Sequence, residues 1–156
     1  MGDFMRRDGA LITKIGARNW AAILLLGLAG QLAWNVENSW FNTFVYDTIT
    51  PDPRAVAWMV AVSAITATAT TLTMGTVSDR RGKRRPFIFG GYILWGIATI
   101  IFPTTAFIKT TTLAVLMVIL ADGIMTFFGS TAYDAAFNAW TTDISDKTNP
   151  PSHLSL

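Results

Sequence analysis

Residues 55–108 read AVAWMVAVSAITATATTLTMGTV (55–77), SDRRGKRR (78–85) and PFIFGGYILWGIATIIFPTTAFI (86–108). Two apolar runs, each of 23 residues, flank a block that holds Arg80, Arg81, Lys83, Arg84 and Arg85. A helix crossing the hydrocarbon core of a bilayer needs about 20 mostly apolar residues at a rise of about 1.5 Å each. Both runs meet that length. A helix of a soluble bundle would show a charged face recurring with the helical period, and neither run does. They read as membrane spans joined by a short basic turn.

Working outward, two more segments reach spanning length. One starts near Asn19, passes through WAAILLLGLAGQLAW into NVENSWFNTFVY and stops before Asp47 and the turn at Pro51, Asp52 and Pro53. The other runs from about Thr112 to Trp140. The expected fold is therefore all-α and transmembrane, with four membrane-spanning helices at about 19–46, 55–77, 86–108 and 112–140. A tail at 1–18 precedes them and a tail at 141–156 follows. The first segment resembles a signal peptide only in its apolar core; it continues beyond that core and three spans follow, so it is read as retained. Composition agrees: of 156 residues 51% are hydrophobic and 14% charged, against roughly 25% charge in soluble domains. The absence of cysteine excludes a disulfide framework, a thiolate metal site and a thiol nucleophile. The net charge of +2 is carried largely by blocks beside the apolar runs, a membrane pattern rather than a nucleic-acid one. No nucleic acid, cofactor or metal is expected as a partner.

Lysine and arginine favour the cytoplasmic side of a bilayer. Arg6, Arg7, Lys14 and Arg18 precede the first span and the 80–85 block follows the second, while the alternate segments hold only Arg54 and Lys109. A multi-pass protein of the plasma (inner) membrane with both termini cytoplasmic is expected.

Polar side chains inside the spans mark the candidate site, because amides and carboxylates in lipid are costly unless they face protein or water. Gln31, Asn35, Asn38 and Asn42 fall on one stripe of an α-helix, with Glu37 on another face of the same helix. In the last span Asp122, Thr126, Gly129 and Tyr133 share a stripe, and Asp134, Asn138 and Thr141 form a second. The spans contain three acids and no lysine or arginine, so these acids are either protonated or neutralised by a proton, metal ion, substrate or another helix. Asp122 and Asp134 are twelve residues apart, about 18 Å along one helix, too far for a catalytic dyad. An enzyme is not expected. Ala64, Thr68, Thr71 and Gly75 form a small-residue face suited to close helix packing.

The sequence Gly75-Thr76-Val77-Ser78-Asp79-Arg80-Arg81-Gly82-Lys83-Arg84-Arg85 closely resembles the signature loop of the major facilitator superfamily, in its usual place between the second and third spans. The resemblance implies an alternating-access transporter in which this loop latches the cytoplasmic side. Gly75, Asp79, Arg80, Gly82 and Arg84 would be gating residues. QLAWNVENSWFNTFVYDTIT and YDAAFNAWTTDISDKTN also resemble the glycoside-pentoside-hexuronide:cation symporters. That narrower resemblance implies a sugar or glycoside as solute, taken up with a proton or other cation. Asp134 with Asn138 would contact sugar hydroxyls, together with Gln31, Asn35 and Asn38 as amide ligands. Glu37 and Asp122 are the candidate coupling acids. Sodium-coupled members carry paired aspartates in the second span where Ser63 and Ala67 stand here, so a proton is the expected coupling ion.

Superfamily members have twelve helices, so the resemblance implies an N-terminal fragment that does not transport alone. The ending Pro150-Pro151-Ser152-His153-Leu154-Ser155-Leu156 is read as a frameshifted terminus that leaves the remaining transporter helices missing. The alternatives are a small helical membrane protein that assembles with itself or with a separately encoded remainder through the Ala64 to Gly75 face, and part of a drug or metabolite exporter of the same superfamily.

Overall fold

The computed structural model describes residues 15–148. Four helices long and apolar enough to cross a membrane follow one another: α1 Ala17–Ile49, α2 Pro53–Arg81, α3 Arg85–Phe107 and α4 Thr111–Ile144. Among the described residues there is no strand. Arg6, Arg7, Lys14 and His153 lie outside the described residues.

Local chemistry sets the helix ends. Asp52 caps α2, its Oδ1 accepting the Arg54 N–H at 2.9 Å, and Pro53 occupies the first helical position, where its missing N–H costs nothing. Gly82 ends α2 at φ +60°, a left-handed conformation that closes the last turn. The chain then reverses directly into α3, which begins at Arg85. The last two turns of α3, Phe102–Phe107, are a 3-10 helix containing Pro103. Helical structure runs on past the expected span end near Trp140, to Thr148. The hydroxyls of Thr141 and Thr142 close back on the Asn138 carbonyl at 2.7 and 3.0 Å, and Asp143 is engaged by Arg84, which together hold the extra turns.

Three stretches are wound as π-helix: Val36–Phe41 and Val45–Ile49 in α1, and Ser130–Phe137 in α4. Hydrogen bonds from i to i+5 put more residues into each turn than in an α-helix, which redirects every side chain that follows.

Helix α4 is the hub. It packs along both α2 and α3, and α1 joins it through the π-helical Ser130–Phe137 and through the Val45–Ile49 end. The core is built from Phe41 and Val45 of α1, Met59 of α2, Trp95 and Phe102 of α3, and Val118 and Met125 of α4, with Phe41 stacked on Phe102 at 4.2 Å. Outside this core Leu24, Leu25, Leu28, Ile65, Ile100 and Phe107 are exposed. Such a perimeter is stable only in an apolar solvent.

The side of α2 that meets α4 runs through Val62 and Thr66, which face Gly123. Buried Met59 and Thr70 share that side. Ala64 and Thr68 are exposed, and no atom lies within 4 Å of where a Gly75 Cβ would stand. The small-residue face read from the sequence is therefore not the packing face within the described residues. Small side chains permit close approach without requiring it, and the bulk of Met59 and Val62 decides which side meets α4.

Candidate functional site

The π-helical Val36–Phe41 carries Glu37 inward, where it is 4% exposed. Its Oε2 accepts the indole N–H of Trp95 at 3.0 Å and its Oε1 accepts the Thr126 hydroxyl at 2.8 Å. Three helices thus meet on one carboxylate, and α2 joins through Ser63, whose hydroxyl contacts that of Thr126. Thr126 has a single proton, given to Glu37, so Ser63 is the donor in that contact. Trp95 is fixed by Trp34 and Tyr92, with ring centroids 5.2 and 6.0 Å away, and by Gly129 lying against its indole.

Beside this carboxylate is a cavity of about 150 Å³ lined by Trp34, Glu37, Asn38, Asn42, Met59, Ser63, Ala67, Asp122 and Thr126. Asp122 is buried, and among the described residues no lysine, arginine or histidine is part of the lining. The Asn42 amide donates to the Asn38 carbonyl at 2.6 Å, and Asn38 donates to the Trp34 carbonyl at 2.8 Å. The Asn42 Oδ1 is buried without a partner. Two carboxyls and a free amide oxygen make an acceptor-rich wall, suited to hydroxyl groups or a cation.

The arrangement corrects the sequence reading of α1. Glu37 does not stand on a separate face from the amides: it shares the cavity with Asn38 and Asn42. The π winding of Val36–Phe41 shifts the register between Glu37 and the residues that follow it from that of a uniform α-helix. Gln31 leaves the group and donates to the Tyr133 hydroxyl at 2.8 Å, and Asn35 is exposed. Asp134 is half-buried in the π-helical part of α4, while exposed Asn138 donates to the Asp134 backbone carbonyl at 3.4 Å. Neither lines the cavity, because Asp134 follows Thr126 by about two turns of helix. Trp95 joins the site without having stood out in the sequence, and Ser63 was read there only as the replacement of an aspartate. The only signal was Trp95 itself, an indole N–H in the middle of an apolar span, which needs an acceptor.

A second cluster sits at the α2–α3 turn. Arg84 donates through Nε to Asp143 Oδ2 at 2.7 Å, and through Nη1 to Asp79 Oδ1 at 2.7 Å and Ser78 Oγ at 3.3 Å. The Asp143 hydrogen bond pushes the guanidinium above its ordinary value, outweighing the opposing effect of burial. The cation therefore persists across the working pH range and ties α4 to the turn. Sequence spacing does not reveal Asp143 as its partner, since 59 residues separate the two. Arg80 is exposed, Gly82 makes the reversal, and Gly75 has no helix against it among the described residues.

Comparison with known proteins places these features. The family model described as Major Facilitator Superfamily matches residues 23–156. No curated protein and no solved structure gives a match. The match takes in all of α2 to α4 and most of α1, with both the Glu37 cavity and the Arg84 cluster: the chain belongs to the major facilitator superfamily, whose members are membrane transporters.

Proposed function

We propose that the chain forms part of the solute path of a secondary transporter for sugars, glycosides or related hydroxylated solutes, coupled to a proton, with Glu37 as the coupling acid. The observation that carries this reading is a buried carboxylate held by three helices beside an acceptor-rich cavity with, among the described residues, no basic one in its wall. A carboxylate of that kind binds a cation or accepts a proton when its surroundings change. Asn38 and Ala64 line the cavity yet are exposed, so further helices are needed to complete the wall. Asp134, on the π-helical part of α4, is the proposed acceptor for sugar hydroxyls toward the other end of that helix.

The test is binding of a panel of sugars and glycosides to the purified chain, followed by quenching of tryptophan fluorescence, since Trp34 lines the cavity. Expected are quenching by at least one glycoside, a dependence of its affinity on pH between 5 and 8, and loss of that dependence in Glu37→Gln. Affinity and pH response unchanged in Glu37→Gln would remove Glu37 from the coupling role. An exporter of apolar metabolites is the second reading, favoured by Trp34, Met59 and Val60 in the same wall. Quenching by apolar amines and by no glycoside would select it.

We place the Arg84 cluster on the cytoplasmic side of the plasma membrane, as a latch between the α2–α3 turn and α4. The chain has no cysteine, so Ser78→Cys gives a single reporter at a position only 1% exposed. A membrane-impermeant maleimide supplied from the cytoplasmic side is expected to react several-fold faster when Arg84→Ala is added. Stability should fall by only about 1 kcal/mol, because both carboxylate partners are half-exposed. Equal rates with and without Arg84, or reaction only from the outside, would contradict the latch or its sidedness.

A further inference from the structure

At the end of the bundle where α1 and α3 begin, a groove of about 290 Å³ opens between α1, α3 and α4. Its mouth holds Arg18 and Arg85, and among the described residues no acidic side chain is part of its lining. Below the mouth the wall changes character. On α1 it descends through Ala22 to Leu26, and on α3 through Ile88 and Phe89. At a rise of about 1.5 Å per residue, Leu26 lies about 12 Å deeper than Arg18. Trp140 of α4 closes the third side, a residue type that settles at the level of lipid headgroups.

We infer that this groove is a binding site for one anionic phospholipid, its phosphate held between Arg18 and Arg85 and the start of an acyl chain lying along Leu26, Ile88 and Phe89. Charge complementarity selects the headgroup: two guanidiniums in a groove whose lining, among the described residues, holds no carboxylate favour a headgroup of net negative charge over a zwitterionic one. The apolar depth selects a lipid over a free phosphate, which would leave the lower wall uncovered. Arg18 and Arg85 belong to different helices, so a shared phosphate would also tie α1 to α3 at this level.

The full chain in mixed micelles is equilibrated with phosphatidylglycerol and phosphatidylcholine of identical acyl chains, and the retained lipid is identified by mass spectrometry of the intact complex. Expected is one phosphatidylglycerol held in preference, with that preference falling on the order of tenfold or more in Arg18→Gln with Arg85→Gln. Arg81→Gln with Lys83→Gln removes the same charge elsewhere on the turn and should leave the preference intact. Ala22→Phe fills the groove without changing charge and should also release the lipid. Equal retention of the two lipids would overturn the site. An equal loss in both charge pairs would overturn it in favour of general attraction to anionic lipid. Displacement of phosphatidylglycerol by inorganic phosphate at similar concentration would reduce it to an anion site.

Discussion

Glu37→Leu is expected to destabilise the folded chain far more than Glu37→Gln. Leucine leaves the Trp95 N–H without its acceptor, in surroundings where Trp95 is 2% exposed, while Thr126 keeps Ser63 as its only partner. A buried group stranded in this way costs about 1–3 kcal/mol. Glutamine keeps an acceptor for the indole through its carbonyl oxygen. Its amide N–H can be received by Thr126 if that hydroxyl turns to donate to Ser63 instead. The pair of hydroxyls thus makes the glutamine variant tolerable, and Glu37→Gln should unfold within a few degrees of the parent in detergent. Removing the hydroxyl as well, in Glu37→Gln with Thr126→Val, should take that tolerance away. Equal melting of the leucine and glutamine variants would show that the carboxylate does not hold the three helices together.

Gly91→Val should be the most damaging single change away from the cavity. A Cβ at Gly91 would stand 2.6 Å from the Ala132 Cβ, 3.2 Å from the Ala132 Cα and 3.1 Å from the Phe128 carbonyl oxygen. Two of those three atoms are backbone and cannot turn aside. Helix α3 must therefore lift away from α4, which opens the packing around buried Trp95 and Ile88 on the same helix. Overpacking of this kind costs typically about 1–3 kcal/mol even where relaxation is possible, and valine adds two methyl groups to the clash. Gly91→Ala should already lower the yield of folded protein, with partial recovery in Gly91→Ala with Ala132→Gly. The neighbouring Gly90 provides the comparison: nothing lies within 4 Å of where its Cβ would stand, and Gly90→Ala should be neutral or slightly stabilising through helix propensity. Similar losses at 90 and 91 would mean that glycine matters there for flexibility rather than for helix contact.

The spans were readable because their cause is local. Each apolar run has the length that a bilayer imposes, and a bilayer acts on a segment irrespective of what it packs against. The α2–α3 turn was readable for a similar reason, since Gly82 and the surrounding cations act within one turn of chain. The stripe of Asp122, Thr126, Gly129 and Tyr133 also survived folding in outline: each of these residues meets protein, through the Glu37 cavity, the Trp95 indole or the Gln31 amide. The amides of α1 divide in their contacts: Asn38 and Asn42 line the Glu37 cavity, Gln31 bonds to Tyr133 and Asn35 is exposed.

By itself, then, the sequence determined that the chain crosses the bilayer four times, where it turns, and which acids lie within its spans. Only the tertiary structure decided that Glu37 meets Trp95, Thr126 and Ser63, that Arg84 reaches Asp143, and that Asp134 stays outside the Glu37 cavity. Spanning follows from solvation of each segment separately, whereas those pairings join helices far apart in the chain and depend on π-helical turns whose i to i+5 bonding leaves no periodic trace in the residue pattern.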